Sequence, residues 1–188
     1  FHKVEGENVD IYTTLNISNK IIIVTTIIFY FLFPILNPIE LLKDIIKKIN
    51  FFRLSLFFLL TFFLSFFFNY DFTEIHGGGF IHKASYLIFG NYIFLFFIFL
   101  ISIIVFFTIF ENKLINYLIY LLIIFTNIQY TIYNKYYDII ILIIFFLLSE
   151  INLEKRFFKQ KNNLFYLYSI YLFYYLITLF KSNIYKII

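Results

Sequence analysis

The sequence predicts an all-α membrane protein, a bundle of about six helices that cross a bilayer. Of its 188 residues, 62% are hydrophobic and 14% are charged, whereas soluble domains average about 45–50% apolar and about 25% charged residues. Several apolar runs also approach the roughly 20 residues that a helix needs to cross a bilayer. The chain has too little polar surface for a soluble globule, and we expect a single transmembrane domain over residues 1–188.

Absent residue types narrow the chemistry. The chain has no cysteine, which excludes disulfides, thiolate catalysis and cysteine-based metal sites. Its net charge of +4 is spread over short loops, a pattern that fits anionic lipid better than nucleic acid. The chain opens at Phe1 and contains no Met, so we expect a C-terminal fragment of a longer protein.

Apolar runs of helical length give the predicted order of elements. After a polar lead-in, the expected spans cover residues 20–36, 51–68, 87–110, 114–133, 136–149 and 164–180. The first run contains Pro34 near its end. Arg53, at the start of the second, can extend its guanidinium to the membrane interface.

The linker at residues 37–50 is typical of an amphipathic helix. Pro38 suits the first helical turn. Leucines and isoleucines are interleaved with charged side chains at a spacing that puts the two kinds on different faces. Such a helix is suited to lying flat on lipid.

The apolar stretch at residues 114–149 is predicted to form two spans. As one helix its 36 residues would extend about 54 Å, against a hydrocarbon core of about 30 Å. A polar cluster between Asn127 and Asp138 marks the break, and a short second span is tolerated beside a polar cavity. The split puts nine of the 15 Lys and Arg residues on one side and six on the other. The positive-inside rule then puts the basic loops in the cytoplasm, and residues 69–86, the Lys135 turn and both chain ends outside.

The glycine-rich segment at residues 69–83 is the main candidate for chemistry. It holds three of the five glycines and two of the three histidines. Residues 76–79 match the HGGG oxyanion hole of lipases, but the accompanying strand and G-x-S-x-G elbow are missing, so we reject that interpretation. Two interpretations stay open. One is a phosphate cradle of backbone N–H groups beside His76, His82 or Lys83, and the other is a tight turn between helices.

A loose divalent-cation site is a further interpretation of the acidic and imidazole side chains in this segment, Asp71, Glu74, His76 and His82. The spacing of the two histidines matches no zinc motif. Ordinary solvated loop charges are the alternative.

Lys135 and Asp138 form a second polar candidate. They are three residues apart, so on a helix they share a face. Charges near membrane depth usually line a functional cavity. The alternative is an interfacial turn between two spans, where Lys135 can still bind a lipid phosphate.

The order of these features resembles that of a known family. GEN at residues 6–8 precedes a span that ends FYFLFPILNP at residues 29–38. A basic helical loop, a second span, NYDFTEIHGGG, a third span and IQYTIYNKYYDIIILII at residues 128–144 follow, before a basic loop and a final span. This layout resembles the C-terminal part of the membrane α-1,2-glucosyltransferases that use dolichyl-phosphoglucose to add the last glucose to a lipid-linked oligosaccharide. Those enzymes belong to the GT-C superfamily of multi-span glycosyltransferases.

Two family motifs have counterparts in the first half of the chain. Where the family has a G-D-K loop before a Phe-rich span, this chain has Gly6, Glu7 and Asn8. The family's D-N-R-H-Y loop falls at residues 74–79, where His76 is the comparable residue.

A third motif lies in the second half. The family's P-Q-x-x-x-E-x-R-Y run opens a membrane segment, and its Gln, Arg and Tyr positions fall on Gln129, Lys135 and Tyr136. Tyr133 stands where the family has its acidic residue.

The resemblance implies an integral membrane glycosyltransferase of the bacterial inner membrane or the endoplasmic reticulum. It would transfer a sugar, glucose in that family, from a polyprenyl-phosphate sugar to a lipid-linked glycan. GT-C enzymes carry their catalytic carboxylate in the first outer loop, so we expect the catalytic residues upstream of Phe1. The substrate-binding candidates are Glu7, Glu74, His76, Gly77, Gly78, Lys83, Gln129, Lys135 and Asp138.

The composition and the resemblance also predict binding partners. We expect membrane lipid as a further partner, and no metal, cofactor or nucleic acid. Two other functions stay open: a transporter or lipid flippase with its site in the broken region at residues 127–138, and a non-catalytic membrane subunit.

Overall fold

The part of the chain that the structure describes is helical. The computed structural model describes residues 17–70, 78–111, 113–126, 132, 164–169, 172 and 176. Over these residues a short 3-10 turn at Phe33–Ile35 accompanies the α-helices, residues 164–169 are helical, and there is no strand. The predicted all-α class is confirmed for this part. The helices are α1 (Ile17–Leu32), α2 (Pro38–Lys48), α3 (Phe51–Phe66), α4 (Gly79–Phe89), α5 (Ile93–Phe110) and α6 (Leu114–Thr126).

Two helical units are long and apolar enough to cross a membrane. α1 and the 3-10 turn together make a unit of 19 residues, and α5 has 18. At 1.5 Å per residue each is about 27–29 Å long, close to the roughly 30 Å of the hydrocarbon core. A third span is added if the bent pair of α2 and α3 counts as one. The fold indicates a membrane protein, and the six spans stay a prediction.

α2 is the amphipathic helix that the sequence predicts. The Asn37 side chain caps it by accepting from the N–H groups of Ile39 and Glu40 (3.0 and 3.4 Å). Half of its apolar face packs against the core, and the other half is exposed at Ile39, Leu42 and Ile46. The axes of α2 and α3 differ by 107°, so with α3 upright α2 lies close to the membrane plane, as an interfacial helix does.

α4 occupies part of the segment for which the sequence predicts a loop. The prediction has a loop over residues 69–86 and one continuous helix from residue 87, whereas the structure starts a helix at Gly79 and ends it at Phe89, before Gly90. Gly90 has a φ of +65°, the left-handed conformation that commonly ends helices. The Ser85 hydroxyl bonds to the backbone after the break at two points (2.7 and 3.2 Å) and ties the two helices together.

Part of the predicted second half lies outside the described residues. α6 ends at Thr126, and Ile132 is the one residue described between there and residue 164. The proposed break within residues 114–149 and the span at 136–149 therefore stay predictions. In the last predicted span, residues 164–169, 172 and 176 are helical.

α1 is the central helix of the bundle. It packs against α4, α5 and α6 and is buried along most of its length, with Ile22, Ile23, Val24, Ile28 and Leu32 at 0% exposure. α3 is the opposite case, because Thr61 and Leu64 are its buried residues and ten or so large apolar side chains on it and next to it are exposed. An apolar surface of that extent is typical of contact with lipid or a partner.

Candidate functional site at the glycine segment

A buried histidine organises the glycine segment. His82 lies in the first turn of α4 and is 0% exposed. Its ring stacks on Tyr92, with centroids 5.1 Å apart and planes 11° apart, and meets the Tyr70 ring edge-on at 5.2 Å. The imidazole Nε2 lies 3.2 Å from the carbonyl oxygen of Tyr70. Because a carbonyl can only accept, Nε2 carries the proton and donates it to that bond.

Burial gives His82 a structural role. Phe68 approaches the ring from a further side at 6.1 Å, so aromatic side chains surround the imidazole. The described contacts of the imidazole are those of a side chain packed in the interior of the bundle. The interpretations in which His82 adds charge to an anion cradle or ligates a metal stay predictions, because Asp71, Glu74 and His76 lie outside the described residues.

Gly78 is required by its position against this ring. Its φ is +78°, a conformation that costs an L-residue about 1–2 kcal/mol. A Cβ atom built at Gly78 would lie 2.2 Å from Nδ1 of His82, well inside contact distance. Glycine at this position lets the backbone pass directly over the imidazole, so this glycine forms the tight turn that was one of the two sequence interpretations.

Ile132 joins the glycine segment to the second polar candidate. The Gly78 N–H donates to the Ile132 carbonyl at 2.7 Å. The Ile132 N–H donates to the hydroxyl of Tyr70 at 3.2 Å. Tyr70 and Ile132 are each 1% exposed. The Gly78 N–H is thus used in a backbone bond, and Ile132 lies at the end of the bundle that holds the glycines.

A pair of asparagines and a buried lysine also lie at the end of the bundle that holds the glycine segment. The Asn19 side chain donates to the Asn69 side chain at 2.7 Å, and the backbone N–H of Asn69 donates back to Asn19 at 3.0 Å. Lys20, the next residue of α1, is 3% exposed. In the sequence Lys20 is the first residue of an expected span, and it was not predicted as a site residue. Its signal was a charge inside the first turn of an apolar run, which is costly in a membrane and often functional.

The structure describes two of the predicted substrate-binding residues. Gly78 lies in the buried turn, and Lys83 is exposed on α4 beside His82. No group of three His, Asp or Glu side chains suited to a metal occurs within the described ranges. The other predicted residues lie outside the described part of the chain: Glu7, Asp71, Glu74, His76, Gly77, Gln129, Lys135 and Asp138.

The opposite end of the bundle carries a basic cluster. The Lys48 ammonium donates to the Thr108 carbonyl at 2.9 Å and lies 3.9 Å from the Glu111 carboxylate. Arg53 donates through Nη1 to the Lys48 carbonyl at 2.8 Å, and its Cζ lies 5.0 Å from the centre of the Phe107 ring. This is the end that the positive-inside rule puts in the cytoplasm.

No protein-family model, curated protein or solved structure matches this chain. The resemblance to GT-C glycosyltransferases rests on the residues quoted from the sequence and stays a prediction.

Proposed function

We propose that this chain is the C-terminal part of a GT-C-like membrane glycosyltransferase. It transfers a sugar, glucose by the family resemblance, from a polyprenyl-phosphate sugar to a lipid-linked glycan at the outer face of the bacterial inner membrane or the endoplasmic reticulum. One observation supports this most directly. Ile132 bonds to Gly78 and Tyr70, and this brings together two segments that the resemblance assigns to substrate binding.

Two charged candidates are close in sequence to this junction. His76 is two residues from Gly78, and Lys135 is three residues from Ile132. A residue advances the chain by at most about 3.6 Å. Lys83 is exposed on the adjoining helix. Imidazole and ammonium groups at a membrane surface suit the phosphate of a lipid-linked sugar donor.

In the proposed reaction, the residues of this chain hold the donor phosphate, and the family resemblance assigns the catalytic base to an upstream loop. An acceptor hydroxyl attacks the anomeric carbon of the donor sugar, the bond from that carbon to the phosphate oxygen breaks, and polyprenyl phosphate leaves. The proton of the hydroxyl passes to an upstream carboxylate acting as general base. Lys135 and the glycine segment stabilise the charge that develops on the departing phosphate.

Replacing Lys135 with Ala in the full-length enzyme tests this division. A charge-assisted hydrogen bond to the leaving phosphate is worth about 1.5–3 kcal/mol, so we expect the rate of sugar transfer to fall roughly 10- to 100-fold. Lys113→Ala, at the other end of the bundle, is the matched control and should retain its rate. Unchanged transfer and unchanged donor affinity in Lys135→Ala would remove this lysine from the mechanism.

A transporter or lipid flippase is the second candidate. It is favoured by the helix break at Gly90 and by Lys20, which is 3% exposed within a candidate span. Interrupted helices with buried polar groups are typical of transporter binding sites. Purified protein in vesicles separates the two: movement of a fluorescent lipid-linked sugar without change in the sugar supports the flippase, and formation of an elongated glycan supports the transferase.

A further inference from the structure

An apolar groove runs along the surface of the bundle between α3 and α6, with α1 and α5 as its floor. Its volume is about 240 Å³. It extends from Phe57 to Leu64 on α3 and from Tyr117 to Ile124 on α6, which is roughly 10 Å on each helix at 1.5 Å per residue. The groove belongs to neither the glycine segment nor the proposed donor site.

One polar atom in the wall of this groove is unsatisfied. The Tyr117 hydroxyl is buried and has no hydrogen-bond partner within the described part of the chain. The neighbouring Tyr120 hydroxyl differs, because it bonds to Thr25. A buried hydroxyl without a partner is unfavourable and rare in native proteins. An acceptor atom of a bound molecule would satisfy it.

The positively charged side chain of Arg53 lies at one end of the groove. Arg53 borders an open depression that shares the side chains Phe57 and Phe107 with the groove. The guanidinium lies over the Phe107 ring, with its Cζ 5.0 Å from the ring centre. Within the described part of the chain, Arg53 bonds to the Lys48 carbonyl and is not paired with a carboxylate. Its remaining N–H donors are arranged in the planar fork that matches a phosphate group.

We propose that this groove is a binding site for an anionic membrane phospholipid. Arg53 binds the phosphate, the Tyr117 hydroxyl donates to an ester carbonyl, and one acyl chain lies in the apolar part between Phe57 and Leu64. Along the groove a cation is followed by one hydroxyl donor and then by apolar side chains. A phospholipid has its phosphate, ester carbonyl and acyl chain in the same order. A helix of a partner protein would bring no phosphate to Arg53.

The position of Arg53 separates this lipid from the proposed sugar donor. Arg53 lies in the first turn of α3, and Asn69, which pairs with Asn19 beside the glycine segment, follows the last turn. With 16 residues, α3 is about 24 Å long. The two lipid sites therefore lie at opposite ends of the bundle, and the phospholipid site stands whether or not the chain belongs to a glycosyltransferase.

Native mass spectrometry of the purified full chain with added phosphatidylglycerol or phosphatidylcholine tests the proposal. The wild type should retain one phosphatidylglycerol, bound more tightly than phosphatidylcholine. Arg53→Gln should weaken phosphatidylglycerol binding about tenfold, because one charge-assisted contact is lost. Lys47→Gln, an exposed charge at the same end, is the matched control and should bind as the wild type. Equal binding in wild type and Arg53→Gln, or equal losses in both variants, would overturn the proposal.

Tyr117→Phe provides a test that does not depend on Arg53. It removes the hydroxyl alone, so the lipid-free protein should melt at a higher temperature than the lipid-free wild type. Added phosphatidylglycerol should then raise the melting temperature less than it does in the wild type. Leu121→Phe, which fills the groove with a larger side chain, should also reduce retained lipid. A lipid-induced shift in Tyr117→Phe as large as in wild type would exclude the hydroxyl contact, and lipid retention unchanged in Leu121→Phe would exclude the groove.

Discussion

The two ends of the bundle are held by different kinds of contact. At the glycine end, buried groups bond to backbone. Hydrogen bonds join Tyr70 to His82 and Ile132, and Ile132 to Gly78, and the side chains of Tyr70, His82 and Ile132 are each exposed by 1% or less. At the basic end, long charged side chains such as Lys48 reach backbone carbonyls from partly exposed positions. When a buried hydrogen bond breaks, its donor and acceptor cannot bond to water instead, whereas the groups of an exposed bond can. The glycine end should therefore tolerate substitution poorly, and the basic end well.

Gly78→Ala should have the largest effect on stability. The new Cβ would lie 2.2 Å from the His82 ring in a backbone conformation with φ +78°, and we expect the free energy of unfolding to fall by about 3 kcal/mol or more. Gly90→Ala is the matched control, since its φ is +65° but no atom lies within 4 Å of the added Cβ. It should lose about 1–2 kcal/mol from the backbone alone. Thermal and denaturant unfolding in detergent, followed by circular dichroism, compares the two, and equal losses would contradict the close packing at Gly78.

Tyr70→Phe should have an intermediate effect. It leaves the ring against His82 but takes the acceptor from the buried Ile132 N–H, at a cost of about 1–3 kcal/mol. The control is Tyr168→Phe, because Tyr168 is 69% exposed and its change should stay within about 0.5 kcal/mol. Hydrogen exchange at the Ile132 amide gives a second measurement and should become faster in Tyr70→Phe. A loss no larger than that of the control would show that the Tyr70–Ile132 bond contributes nothing to stability.

Lys48→Gln should have the smallest effect. The Lys48 and Glu111 side chains are 36% and 44% exposed, so their ion pair contributes about 0–1 kcal/mol and weakens with salt. Glu111→Gln removes the same pair from its other side and should give a similar loss. Unfolding measured at low and high salt should show the difference from wild type shrinking as salt is added. A loss above about 2 kcal/mol in either variant would contradict the contrast between the two ends.

Local patterns predicted one end of the molecule better than the other. The interfacial helix α2 was predicted because its period, Pro38 and its charged face are all properties of adjacent residues. α4 was missed because a glycine-rich polar string has the same composition in a loop and in a helix start. The burial of His82 depends on Phe68, Tyr70 and Tyr92, and no local pattern in the sequence predicts that their rings meet. The hydrogen bonds of Ile132, a residue with an ordinary apolar side chain, have no signal in the sequence at all.

The sequence indicated which segments to consider for the candidate site but not the contacts between them. The charge count puts the glycine segment and the turn at Lys135 on one side of the membrane, which stays a prediction. The structure shows that Ile132 bonds to Gly78 and Tyr70. Composition does not show which backbone groups remain available to a ligand, because the same glycine N–H can bind an anion or, as at Gly78, donate to a carbonyl of a distant segment.

The hydrogen bond between Tyr70 and Ile132 can form only after both residues have been synthesised. Its two residues are separated by 62 positions in the chain. At about 5–20 residues per second, roughly 3–12 seconds pass between their emergence from the ribosome. During that interval α4, α5 and α6 are synthesised, while the Tyr70 hydroxyl and the Gly78 N–H have not yet bonded to Ile132. A chain that stops after α6 would therefore have these helices and still lack the hydrogen bonds of Ile132.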